Sequence, residues 1–165
     1  MKKLYLIRHA KSSWEDHLLS DFDRPLSDRG KQDAPQMAEI LKSKNVIPNI
    51  VISSSARRAL KTAKIFSSHL NYSTDDIEIN NSIYDATTQV LLNIISKIDN
   101  KYETVLMFGH NPGFTVLANL LGDKVIENMP TCSIASLELN IESWRNVEVN
   151  CGRLIGFEYP KKMDF

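Results

Sequence analysis

The chain has little of what usually staples small proteins or anchors them in membranes. Only two cysteines, Cys132 and Cys151, occur in 165 residues. Neither sits in a CxxC or CxxH arrangement, which leaves too little for a disulfide framework or a zinc site. Free thiols in a reducing compartment are the expectation. Neither charge sign is in excess: Lys+Arg and Asp+Glu both total 20, for a formal net charge of zero. A chain-wide field attracting nucleic acid or an anionic membrane is thereby excluded, and any basic site must be local. No apolar run approaches the ~18 residues needed to cross a bilayer. The first residues, MKKLYLI, look faintly like a secretory leader, but the apolar run is short and Arg8 ends it. The expectation is a cytoplasmic protein with no membrane and no nucleic-acid partner. Repeats, low-complexity segments and linkers are also missing, so residues 1–165 read as one domain. At that length a chain buries roughly two thirds of its unfolded surface and needs no metal to hold it together.

What is present is a strict alternation of short apolar runs and helical spacings. Lys3 to Ile7, Asn49 to Ser53 and Thr104 to Phe108 read as buried strands. Between and after them, apolar residues recur at helical intervals. Ala34, Met37, Ala38 and Leu41 follow a capping Ser27. Ala59, Thr62, Ala63 and Phe66 form a second set, and Leu91, Ile94, Ile95 and Ile98 a third. The fourth set, Leu117, Leu120 and Leu121, starts at Asn111-Pro112 and closes at Gly122. Ile77 to Ile79 reads as a short strand. After Cys132 the pattern is β-like at Ile134 to Leu139, Val147 to Val149 and Leu154 to Tyr159. This order predicts an α/β fold of three layers, α/β/α, with a mostly parallel central sheet.

In such a sheet, ligands bind beyond the carboxyl ends of the strands. The first strand ends in Arg8 and His9, the second in Ser53 to Ser55 followed by Arg57 and Arg58, the third in Gly109, His110 and Asn111. Arg57 and Arg58 are ~100° apart on a helix, so only one of them faces a pocket. Two histidines, two arginines and two helix N-termini, at Ala56 and Pro112, converge on one edge as an anion site. His17 and His69, in a polar loop and at a helix end, have no such company. A metal site built from His9, His110 and loop aspartates is disfavoured because the adjacent arginines repel a divalent cation.

These residues carry a resemblance. Arg8-His9-Ala10 is similar to the R-H-G signature of the histidine phosphatase superfamily, whose fold is called phosphoglycerate mutase-like. Ser53 to Ala63, SSSARRALKTA, resembles that family's S-S-P-x-x-R-A-x-x-T-A and places the motif arginine at Arg58. Asp23 to Gly30, DRPLSDRG, and Gly109 to Gly113, GHNPG, resemble two further motifs in the right order. RHAKSSW followed by D-x-D-R-P-L is nearest to the small phosphohistidine phosphatases of SixA type. Ala10 and Ser55 depart from the usual Gly and Pro, and Glu15 stands where many relatives carry a phosphate-contacting Asn. The family's usual acidic proton donor aligns with Ser82.

The resemblance implies a metal-independent hydrolase without cofactor. His9 is the implied nucleophile, and His110, Arg8 and Arg58 the groups that stabilise the transferring phosphoryl group. Arg24 and Ser12 are implied further phosphate contacts. Asp21 is the first candidate proton donor, with Asp16, Asp23 and Asp85 as rivals. The implied substrate is a phosphorylated protein histidine, because its labile N–P bond tolerates a weak acid better than an alkoxide does. A small phosphomonoester is the alternative, and a phosphate-binding module without chemistry a more distant one. Phosphate or sulfate is expected to occupy the pocket. The segment Val125 to Pro130 is a candidate rim.

Overall fold

A computed structural model describes residues 1–160. Its element order is β1 (Lys2–Arg8), α1 (Asp28–Ser43), β2 (Ile50–Ser53), α2 (Arg57–His69), β3 (Glu78–Ile79), α3 (Thr88–Ser96), β4 (Thr104–Gly109), α4 (Gly113–Leu121), β5 (Ile134–Leu139) and β6 (Gly152–Glu158). The six strands form one sheet in the order β3-β2-β4-β1-β5-β6. The first four in that order run parallel, and β5 and β6 are antiparallel.

The apolar runs of β1 and β4 are explained by burial on both faces. Leu4, Leu6, Val105 and Met107 pack on one side with Leu91 and Ile95 of α3 and with Phe114, Leu117 and Leu121 of α4. Tyr5, Ile7, Leu106 and Phe108 pack on the other, with Ala34, Met37, Ala38 and Leu41 of α1 and Ala63 and Phe66 of α2. The α/β/α layering expected from the sequence is what these two clusters describe. Ser27 caps α1 as predicted, accepting the Gly30 amide at 3.1 Å. Pro35 sits inside α1, where it has no N–H to give to the Lys31 carbonyl.

Two local expectations change. Pro112, not Asn111, is the N-cap of α4, and Asn111 acts one residue earlier through its side chain. Val147 to Val149 is not a strand. Asn140 N–H donates to Cys151 O at 2.8 Å directly beyond the β5–β6 ladder, so residues 140–151 are the connection of a hairpin with no strand left to pair. That connection holds a 3₁₀ turn, Trp144–Asn146, whose buried Trp144 donates its indole N–H to Tyr102 O. Both cysteines are free, Cys132 buried and Cys151 half-buried. Among the described residues no helix is long and apolar enough to cross a membrane.

Candidate active site

The ends of β1 and β4 are paired neighbours, with Arg8 opposite Gly109. The helices that follow leave on opposite faces, α1 to one side and α4 to the other. This divergence opens a crevice beyond the carboxyl ends, the usual ligand position in such sheets. His9 and His110 are each one residue past the paired ends, and their ring centroids are 5.3 Å apart. Ser54 extends β2 alongside by donating its amide to Phe108 O at 3.0 Å. Gly109 must be glycine here, because a Cβ would lie 2.5 Å from the Phe114 ring and 2.9 Å from Ile83.

A cleft of about 320 Å³ lies at this point, and its walls carry Arg8, His9, Ser12, Arg24, Arg58 and His110 from the sequence-based set. Lys11, Trp14, Asn111 and Thr131 complete it. Among the described residues, no carboxyl group lines it. Glu15, expected to face the phosphate position, is exposed and outside the lining, because the chain turns there and offers Trp14 instead.

His9 is buried, at 6 % exposure. Its Nδ1 lies 2.7 Å from Ala10 O. A carbonyl only accepts, so Nδ1 carries the proton and Nε2 keeps its lone pair. Arg58 Nε donates weakly to that Nε2 at 3.4 Å. The Ala10 amide in turn donates to Thr62 Oγ1 at 3.0 Å, and Thr62 donates to Arg58 O at 2.7 Å. Thr62 therefore ties the His9 loop to the Arg58 helix. Burial, opposed by the Ala10 hydrogen bond and helped by the charges of Arg58 and Arg8, lowers the His9 pKa to about 3. The ring is neutral at pH 7.

His110 pairs through Nε2 with Ser54 Oγ at 2.8 Å, while its buried Nδ1 has no hydrogen-bond partner among the described residues. Burial first, then Arg58, lowers its pKa to about 4. Arg8 donates Nη1 to Met129 O at 2.8 Å, and its Nε is buried without a partner. Arg58, not Arg57, is the inward arginine: it is 7 % exposed, whereas Arg57 lies at the surface.

Asp21 is not placed as a proton donor. Its Oδ2 accepts from Tyr84 Oη at 2.7 Å and Arg58 Nη2 at 3.0 Å, and its Oδ1 accepts from Arg24 Nη1 at 3.0 Å. The Tyr84 hydroxyl, followed by the two arginines, lowers its pKa to about 2. A carboxylate held there carries no proton at neutral pH and acts as an anchor for Arg58. Asp16 and Asp23 are taken up by local turns, with Leu18 N–H and Ser20 Oγ. Neither they nor Asp85 line the cleft. Arg24 is also committed: it donates to Ser13 O, Asp21 Oδ1 and Ser12 Oγ, and stacks 3.1 Å from the Trp14 ring centroid. It shapes the cleft wall.

Three contributors were missed in the sequence. Tyr84 touches Asp21 and stands edge-on to His110 at 5.4 Å. Its only sequence trace is an aromatic in a turn. Ser54 read as a turn residue, and Lys11 as loop. Of the candidate rim, the Met129 carbonyl reaches the site by holding Arg8 and Asn111 Nδ2. Among the described residues no group of three or more His, Cys, Asp or Glu side chains is arranged to hold a metal.

Residues 4–86 match the histidine phosphatase superfamily (branch 1). An uncharacterized chloroplastic protein of Arabidopsis thaliana is 35% identical over 151 residues, which cover 87% of this chain and 69% of the plant protein. Among solved structures, a chain from Agrobacterium tumefaciens assigned by name to the SixA phosphohistidine phosphatases superposes with a TM-score of 0.81 at 27% identity, covering 96% of this chain and 98% of that one. The protein histidine phosphatase SixA complexed with tungstate gives 0.83 at 23% identity, with 98% and 99% covered. On the match over residues 4–86 and the plant relative, this chain belongs to the histidine phosphatase superfamily, and SixA-type phosphatases are its structural neighbours.

Proposed function

We propose that residues 1–165 act as a single phosphatase domain in the cytoplasm, hydrolysing phosphohistidine on another protein without a metal ion or cofactor. The observation that carries this reading is the wall of the cleft. A neutral imidazole with a defined lone pair sits among Arg8, Arg58, Lys11 and His110, and among the described residues no carboxyl group lines the space. Such a site accepts a phosphoryl dianion but offers no carboxylic acid to protonate a departing alkoxide.

His9 Nε2 attacks the phosphorus, a new N–P bond forms, and the substrate's N–P bond breaks. Its electron pair goes to the departing imidazole, which leaves neutral because its other nitrogen already carries a proton. Water then attacks the phosphorus on His9, inorganic phosphate departs, and Nε2 regains its lone pair. Arg8, Arg58 and His110 hold the three non-bridging oxygens as charge moves through the transition state. The dianion draws a proton onto His110, whose low pKa belongs to the free site. Ser54 holds that ring in place, and Asp21 holds Arg58.

The test is a rapid quench of the enzyme with a phosphohistidine protein in the presence of chelator. An acid-labile phosphoenzyme is expected on wild type and none on His9→Ala. In a substrate panel, phosphohistidine should exceed sugar and nucleotide monoesters in kcat/KM by at least about a hundredfold, the weight of a missing general acid. Faster turnover of a phosphomonoester, or full activity of His9→Ala, would overturn the proposal.

A further inference from the structure

A second, larger groove of about 440 Å³ lies between α1 and α2. Arg57 and Pro25 line it, and their chain neighbours Arg58 and Arg24 line the cleft, so the two lie near one another. Its apolar floor is Pro25, Leu26 and Leu60. Its charged lining is entirely cationic: Lys31 from α1 and Arg57, Lys61 and Lys64 from α2. Among the described residues, no carboxylate pairs with any of these four. Asp28 and Glu39 of α1 are outside the lining, and Glu39 is engaged by His69 at 2.7 Å. In a chain of zero net charge, four cations without a carboxylate partner among the described residues, Arg57 donating only to the Asp23 carbonyl, surround an apolar floor and form a local field that the phosphoryl chemistry does not use. The loop between the cleft and α1 also leaves Trp14 and Leu18 exposed, at 68% and 96%.

We infer that this groove docks an acidic segment of the phosphohistidine protein, bearing apolar side chains, near the modified histidine. The inference rests on the phosphohistidine reading above and extends it to the sequence around the target. Glutamates of the partner meet Lys31, Lys61 and Lys64, its apolar side chains cover Leu26 and Leu60, and the phosphoryl group enters the nearby cleft. Complementary charge of this kind raises the encounter rate and sets partner choice, and salt weakens it.

Two synthetic phosphohistidine peptides test this, alike except that Glu residues flanking the phosphohistidine in one are Lys in the other. Free phosphohistidine serves as a third substrate. The wild type should favour the Glu peptide by about tenfold or more in kcat/KM at low salt, the size a few exposed ion pairs carry, with the preference shrinking as salt rises. Lys31→Glu/Lys61→Glu/Lys64→Glu should reverse the preference and leave turnover of free phosphohistidine unchanged. The corresponding triple Gln variant, expected to lose the preference, replaces it if the Glu variant does not fold. Equal rates on both peptides in wild type, or an unaltered preference in the variants, overturn the docking inference while the phosphohistidine reading stands. Failure of wild type on all three substrates overturns both.

Discussion

The parallel and antiparallel parts of the sheet serve the site differently. β1, β2 and β4 run the same way, so their last residues and the helices that follow all reach one edge, and they deliver side chains: Arg8, His9, Ser54, Arg58 and His110. β5 runs the other way and reaches that edge with its beginning. What it brings is mainly backbone. The Cys132 amide donates to the carbonyls of Arg8 and His9, the Ser133 carbonyl accepts the Arg8 amide, and the Met129 carbonyl takes the Arg8 side chain. The side chains of the candidate site come from one part and are braced by the other.

Substitutions separate the two roles. The largest effect belongs to His9→Ala, which should lower turnover of phosphohistidine by more than about 10³-fold, because the covalent step has no other nucleophile. A residual rate within tenfold of wild type in a stopped assay would break the assignment of chemistry to the β1 end.

Acid comes next. All four histidines precede β5. Folded His9 and His110 take up protons only near about 3 and about 4, whereas the unfolded chain takes them up near the ordinary value of 6.5. Between those values the unfolded state binds more protons, so stability is full above about 6.5 and falls as pH is lowered, by on the order of a few kcal/mol. Urea melts at pH 7 and pH 4.5 should show this loss, and a His9→Ala/His110→Ala variant should lose less. Equal slopes would mean these rings are not buried neutral.

Arg58→Lys should follow, at roughly a hundredfold loss in kcat/KM. A single ammonium cannot span His9 Nε2, Asp21 O and Asp21 Oδ2 as the guanidinium does. Thr62→Val leaves the Ala10 amide without its acceptor in a buried position. A cost of about 1–3 kcal/mol in thermal or urea unfolding is expected, with Thr62→Ser restoring most of it. The smallest effect is expected across the antiparallel pair. Glu138→Gln with Arg153→Gln removes an exposed 2.8 Å ion pair between β5 and β6 and should change stability by under about 1 kcal/mol and activity not at all. A clear activity loss there would blur the division between the two parts.

Much of this was legible in the chain. Both buried faces of β1 and β4 announce themselves as unbroken apolar runs, and the helices that cover them as spacings of three and four. Arg8, His9, Arg58 and His110 stand out because each follows a strand or opens a helix, where burial ends and a ligand begins. Val147 to Val149 misled because a few β-branched residues look alike in a strand and in a hairpin connection, and the difference is whether a partner strand is within reach. Glu15 misled because a motif position does not give the direction of a side chain in a loop.

Composition and periodicity alone determined the layered fold, the carboxyl-edge position of the site and its cationic character, since these follow from local spacing and the direction of parallel strands. Only the tertiary structure decided the rest. Arg8 is tied to Met129 O across 121 positions and Tyr84 to Asp21 across 63. Burial under the folded chain, with the charges of Arg58 and Arg8, keeps His9 neutral, and the Tyr84 and arginine contacts hold Asp21 ionised as an anchor where its place in the loop suggested an acid. Charge state depends on what surrounds a group in space, and chain order does not contain that.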